Sequence, residues 1–340
     1  GCGNMMRKSR TISVLLVFMM ITQALSIPVL ASPEEGDGSP DPLTPMESVT
    51  SSVYDENNLA NTNVVIPEPD VMIKADDFGG DTLDPQLEQV GDGSGTLTLE
   101  DGRLVLTKTS TARDFDGLHY YFNSDRTGIS DGIIAVELTL QRSEAKIVNF
   151  RVRNSTNTDA ALVQWRNTGN IEANFGSTNS TIKTGYHKTE PVHVVYMLNR
   201  DSNIYSLWID GEKLVDNASF RVDGDPAYLY VYLQNESNMK VYVDDFKVYR
   251  PIIPDDNKVY YDNNWLDHSI LTTESADFIT RDLNLPNTGR YGSAIQWTSS
   301  DPSVISHDGI VTRSTDGARE VTMTASISSN DSMLTKSFTL

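Results

Sequence analysis

The 340-residue sequence holds a single cysteine, Cys2, which lies ahead of the candidate start residues Met5 and Met6. A chain expected to lose that residue has no disulfide, no cysteine-ligated zinc and no thiol nucleophile. Positive charge is scarce as well: 27 Lys and Arg stand against 47 Asp and Glu, for a net charge of −20. Nucleic-acid phosphates and anionic lipid surfaces both need clustered cations, so neither is an expected partner. The apolar run near the N-terminus, Val14 to Ile21, covers eight residues, against the ~20 that a spanning helix needs. The five histidines, His119, His187, His193, His268 and His307, show no metal-ligating spacing. No His-Glu-x-x-His, Gly-rich phosphate loop or Gly-x-Ser-x-Gly elbow occurs, so metal hydrolysis and serine chemistry have no candidates. Retaining glycoside hydrolysis needs two carboxylates about 5 Å apart. Glu137 stands alone on its strand, where it reads as a solvated outward residue. The chain is read as a non-enzyme.

What is present begins with an address. Arg7, Lys8 and Arg10 precede the apolar run, and Val29 and Ala31 place small side chains at a cleavage site. These are the three parts of a secretory signal, assigned to residues 5–31, with residues 1–4 as an upstream artefact. Cleavage removes those three positive charges, and the product is expected outside the cell, secreted or associated with its surface. From Ser32 to Asp70 come six prolines, nine acidic residues and no Lys or Arg. Such a segment cannot bury enough apolar surface to offset its ordering entropy and reads as an extended tether.

Beyond it the apolar residues recur with period two. Ile134, Val136, Leu138 and Leu140 alternate with polar neighbours, as do Val148, Phe150 and Val152, and Val192, Val194, Tyr196 and Leu198. Asp101-Gly102 and Asp210-Gly211 fall between alternating runs and predict tight hairpins. The fold class is all-β: an antiparallel jelly-roll sandwich over 71–251, a linker over 252–264, and a smaller immunoglobulin-like sandwich over 265–340.

Two resemblances attach to these residues. His193 to Val215, with Asp76-Asp77-Phe78 at the start and Val243 to Val248 at the end, resembles concanavalin A-like, laminin G-like jelly rolls. Members of that group include lectins, carbohydrate-binding modules and glycosidases, and their first and last strands lie side by side. Asp282 to Pro286, Ile295 to Pro302, Asp308-Gly309 and Val321 to Ala325 are similar to the atrophied bacterial immunoglobulin-like domain of exported polysaccharide-degrading proteins. That resemblance implies that Trp297 packs on aliphatic partners, there being no disulfide. It also implies that the last strand runs past Leu340 and that a catalytic module follows.

Binding has better candidates than catalysis. Tyr228, Tyr230 and Tyr232 lie two apart and project from one strand face, while Leu229, Val231 and Leu233 take the other. Flat amphipathic rings suit stacking on a sugar's C–H face. Trp165, Arg151, Arg153 and Arg166 are expected to add stacking and charged donors. The jelly-roll resemblance further implies a structural calcium, for which Asp76, Asp77, Asp244 and Asp245 are the candidate ligands; no other cofactor is expected. The expected partner is an extracellular polysaccharide bound by a monomer without membrane insertion. Two alternatives stand: an adhesive or structural surface protein with no sugar specificity, and a glycosidase of the same fold.

Overall fold

The computed structural model describes residues 66–91, 95–109, 115–234, 238–313 and 317–340. The signal segment and nearly all of the acidic tether lie outside the described residues. Alternation becomes two facing antiparallel sheets. In chain order the strands are β1 (Pro69–Asp76), β2 (Leu87–Gly91), β3 (Gly95–Glu100), β4 (Arg103–Lys108), β5 (Phe115–Tyr121), β6 (Ile133–Arg142), β7 (Val148–Asn154) and β8 (Asp159–Trp165). They continue as β9 (Ile171–Phe175), β10 (Thr178–Lys183), β11 (Val192–Asn199), β12 (Ile204–Ile209), β13 (Glu212–Ser219), β14 (Pro226–Gln234) and β15 (Met239–Pro251).

Sheet A runs β13-β12-β11-β6-β15-β4-β3, with β1 also paired to β15. Sheet B runs β10-β9-β8-β7-β14-β5-β2. Strands distant in sequence are thus neighbours in space, as a jelly roll requires. The first and last strands are antiparallel partners, with Pro69 opposite Pro251 and Asp76 opposite Phe246. Both expected hairpins form. Asp101 (φ 52°) with Gly102 (φ 72°) joins β3 to β4, and Asp210 (φ 49°) with Gly211 (φ 80°) joins β12 to β13. Two consecutive positive φ angles match the right-handed twist of the flanking strands.

The core lies between the sheets. Leu138 and Leu140, Val194 and Tyr196, and Val241 and Val243 enter it from sheet A. Phe150 and Val152, Val163 and Trp165, and Leu229, Val231 and Leu233 enter it from sheet B. At one edge Lys108 on β4 reaches Asp116 on β5 at 2.9 Å, with neither side chain exposed. The Gly95 amide donates to the same carboxylate at 2.8 Å. A Cβ at Gly95 would sit 2.7 Å from Asp116 Cγ, so glycine is required there. Breaking such a buried pair from one side costs about 3–5 kcal/mol.

The C-terminal module carries a three-stranded sheet of β16 (Ala294–Ser299), β17 (Thr322–Ser329) and β18 (Ser332–Thr339). The 252–264 segment, expected as a linker, forms most of helix α1 (Asp255–Trp265), followed by the short α2 (His268–Leu271). Its sequence shows no apolar stripe, which hid the helix from period-based reading. Val259 and Leu266 nevertheless pack with Leu271, Ile295, Ala325 and Ile327. Asp262 is fully buried and accepts hydrogen bonds from the Tyr291 and Ser293 amides at 2.7 and 2.9 Å. Leu283 and Ile305 cover the rest of the sheet through Val321 and Met323. Trp297 donates its ring N–H to the Pro286 carbonyl at 2.9 Å and meets Phe338 at 5.9 Å between ring centroids. Its packing therefore includes an aromatic partner.

The two modules are joined by more than chain. Arg290 reaches Asp131 and, at 3.6 Å, Asp201, while Tyr291 donates to Asp201 at 2.9 Å. Arg250 shares Asp131 at 2.8 Å. These two guanidinium groups hold the Asp131 carboxyl below its ordinary pKa against the opposing effect of burial.

Candidate functional site

The outward face of sheet B carries most of the candidate residues. Register places them on a grid. Tyr232 lies opposite Asn149 on β7 and Gly117 on β5; Tyr230 lies opposite Arg151 and His119; Tyr228 lies opposite Arg153 and Tyr121. On β8, Gln164 is opposite Asn149 and Asp159 opposite Arg153. The three tyrosines form a cluster separate from the inter-sheet core, so the two faces of β14 divide as alternation predicts.

These rings are not a free platform. Tyr228, Tyr230 and Tyr232 are only 3%, 7% and 9% exposed. Tyr230 stacks on Tyr232 at 4.6 Å, and His119 sits 4.4 Å from Tyr228 and 4.7 Å from Tyr230. Arg151 lies over the Tyr232 ring and Arg153 over the Tyr230 ring. Gly117 makes the packing fit. A Cβ there would come within 2.9 Å of the Tyr230 ring and 2.7 Å of the Tyr232 Cβ. The expected stacking surface is thus turned into a close-packed layer by residues on the adjoining strands.

The polar network of this layer is uneven. Arg151 donates to Asp159 at 2.9 Å, to the Asn149 side-chain oxygen at 3.1 Å and to the Tyr232 hydroxyl at 2.6 Å. Arg153 donates to the other Asp159 oxygen at 2.9 Å and to Asn157 at 2.7 Å. Gln164 donates to the Asn149 oxygen at 3.0 Å. Yet Asn149 Nδ2 and Arg151 Nε, both buried, have no partner among the described residues. Leaving such a donor unpaired costs about 1–3 kcal/mol. Both orphaned atoms are donors, so the layer lacks acceptors.

Burial chiefly sets the protonation states here. It pushes the His119 pKa down to about 4 and the Tyr230 hydroxyl up to about 12. His119 is therefore neutral at pH 7, despite Glu88 nearby.

Several candidates lie elsewhere. Trp165 belongs to the core: it is 1% exposed, donates to the Tyr186 carbonyl at 2.9 Å and sits beneath the Arg142 guanidinium. It shares strand parity with Ala161 and Val163, which also face inward, so it offers no sugar a surface. Arg166 follows β8 and pairs with Glu172 at 3.0 Å. The expected calcium ligands form no set. Asp76 accepts from the Phe78 amide at 2.8 Å and from the Tyr120 hydroxyl, and Asp77 accepts from the Gly79 amide at 3.1 Å. Asp244 and Asp245 occupy an irregularity in β15, where Asp245 takes φ 49°. Among the described residues no group of three or more His, Cys, Asp and Glu side chains is placed to hold a metal ion.

Glu137 is not the solvated residue expected. On the outward face of sheet A it accepts from Tyr249 at 2.8 Å and Lys247 at 3.2 Å, and bonds His193 at 3.2 Å. The His193 bond, followed by those to Tyr249 and Lys247, brings its pKa down to about 2 against the opposing effect of burial. Sequence reasoning also missed His119, Asn149, Gly117 and Asp159. Asn149 was within reach, since it shares parity with Arg151 and Arg153. The other three enter through cross-strand register.

No helix among the described residues is long and apolar enough to cross a membrane. No curated protein matches the chain. Among solved structures it is similar to a sialidase, with 10% identity and a TM-score of 0.41, covering 51% of this chain and 17% of that one. It is also similar to arcelin-5, a lectin-like defense protein from Phaseolus vulgaris, with 12% identity and a TM-score of 0.37, covering 52% and 96%. A third is a galectin-like-fold protein from Bacillus subtilis, with 12% identity and a TM-score of 0.38, covering 54% and 98%. The chain spans under a fifth of the sialidase's length. Residues 259–340 match the family model described as an atrophied bacterial Ig domain, and the C-terminal module of this chain is one.

Proposed function

We propose that the chain is an extracellular, non-catalytic glycan-binding protein. The outward face of sheet B takes the sugar, and the immunoglobulin-like module acts as a spacer. One observation carries this reading: Asn149 Nδ2 and Arg151 Nε are buried without partners in a layer of tyrosines and guanidiniums. A sugar supplies hydroxyl, ether or carboxylate oxygens for such donors and apolar C–H faces for the ring edges. Both atoms lie below the surface, so an incoming oxygen enters between the side chains that border them.

The test is affinity electrophoresis of the full chain through gels containing individual polysaccharides, neutral and acidic. Retardation by at least one, weakened by Asn149→Ala in a chain whose circular dichroism shows it still folded, supports the reading. A blank panel overturns it. The low exposure of the three rings favours a second reading, a surface-structural protein with no sugar specificity, and that blank panel is its expected result.

A further inference from the structure

We infer that the glycan bound on the outward face of sheet B carries carboxylates, with the acid group seated at Asn149 and Arg151; this rests on the glycan-binding reading above. Three observations converge on it. The first is charge. Arg151 and Arg153 share the single carboxylate of Asp159, which is bonded through both its oxygens. Arg126 at the far side of the grid is matched by Glu88 at 3.2 Å. The layer therefore holds one guanidinium more than it has carboxylates, within a chain of net charge −20. The Arg151 and Arg153 side chains are 15% and 20% exposed, so water screens that surplus weakly.

The second observation is the chemistry of the orphaned atoms. Both are donors, and a carboxylate is purely an acceptor, with two oxygens in one plane. The third is their adjacency. Arg151 donates to Asn149 Oδ1 at 3.1 Å, so the amide and the guanidinium lie side by side and present their remaining N–H groups in one neighbourhood. Neutral hydroxyls meet the hydrogen-bond deficit but leave the charge. A sugar carboxylate meets both. Tyr232, bonded to Arg151 at 2.6 Å, would border the sugar ring that carries the acid.

The experiment measures binding of the full chain to polygalacturonate and to hyaluronan, each beside its carboxyl-reduced form. Binding to at least one acidic polymer, at least tenfold weaker for its reduced form, is the expected result. Arg151→Lys keeps the charge but removes the Nε donor and should also weaken binding about tenfold. Asn149→Asp should abolish it. Near-UV circular dichroism, which reports the buried tyrosines and tryptophans, checks that each variant is folded; if Asn149→Asp is not, Arg151→Lys carries the test. Equal binding of acidic and reduced polymers overturns the carboxylate assignment and leaves glycan binding standing. So does binding confined to neutral polysaccharides. Equal binding of polyglutamate overturns the restriction to sugars. Failure to bind any polysaccharide overturns both readings.

Discussion

The jelly roll presents two outward faces built from the same alternation, and they resolve their polar groups in opposite ways. On sheet A one carboxylate, Glu137, is met by a histidine, a lysine and a tyrosine hydroxyl. On sheet B one carboxylate, Asp159, is divided between two arginines, and two neighbouring donors are left over. The acceptor is saturated on the first face and in short supply on the second. Satisfied networks rigidify a fold; unsatisfied ones at a surface invite an oxygen from outside. Sheet A is not wholly satisfied, since the buried Trp208 ring N–H also has no partner among the described residues. That atom stands without an accompanying cluster of cations and rings, apart from Lys213 over its face.

The largest expected effect separates the faces by pH. His119 on sheet B has its pKa lowered to about 4, so an unfolded chain, with its histidine near 6.5, takes up the proton first. Stability should then fall as pH drops from 6.5 to 4, by about 3 kcal/mol. Glu137 on sheet A titrates near 2 against an ordinary 4.5. Its contribution is complete above pH 4.5 and is lost below; solvent screening of this partly exposed carboxylate cuts it to about 1–2 kcal/mol. Denaturant melts from pH 7 to pH 3 should show His119→Gln flattening the upper slope and Glu137→Gln the lower. If either variant removes the other's slope, the assignment of faces is reversed.

Next in size is Gly117→Ala. The added methyl meets the Tyr230 ring and the Tyr232 Cβ inside contact distance. Overpacking of this kind costs about 1–3 kcal/mol, and the displaced rings should weaken any glycan binding as well. A thermal melt with unchanged midpoint would mean the ring layer is looser than described. Smaller again is Tyr249→Phe on sheet A, which removes the hydroxyl from Glu137 and from the Pro67 carbonyl. About 1 kcal/mol of stability should be lost, with glycan affinity untouched. A loss of affinity would couple the two faces. The smallest effect on glycan affinity belongs to Trp208→Phe on sheet A, which should leave it unchanged. The lost N–H had no partner, so the stability cost, read by chemical denaturation, should reflect the vacated packing volume alone.

Much of this architecture can be read from the residues themselves. Period-two alternation separates Tyr228, Tyr230 and Tyr232 from Leu229, Val231 and Leu233, and the Asp-Gly pairs mark both hairpins. Parity also contained the correction for Trp165, which travels with Ala161 and Val163. What a linear chain does not display is which strand lies beside which. His119 and Gly117 join the tyrosines only because β5 pairs with β14, 111 positions later for the His119–Tyr230 pair. Burial of the rings is a property of that pairing, so exposure could not be read from β14 alone. Helix α1 escaped for a different reason: its buried residues are anchored by Asp262 capping a distant loop, a tertiary bond with no local signature.

One further consequence follows from Pro69 lying opposite Pro251. The chain enters and leaves the jelly roll at a single point, so the module hangs beside the line of the polypeptide instead of along it. Tension applied through the flanking chain would load β1 and β15 at that shared end, opening their hydrogen bonds one after another. Such a peeling geometry yields at low force, while the other strands of both sheets lie outside the loaded path. Arg250 and Arg290, meeting at Asp131, brace the exit side of this junction. A pull would therefore detach the edge strand before it disturbed the tyrosine face.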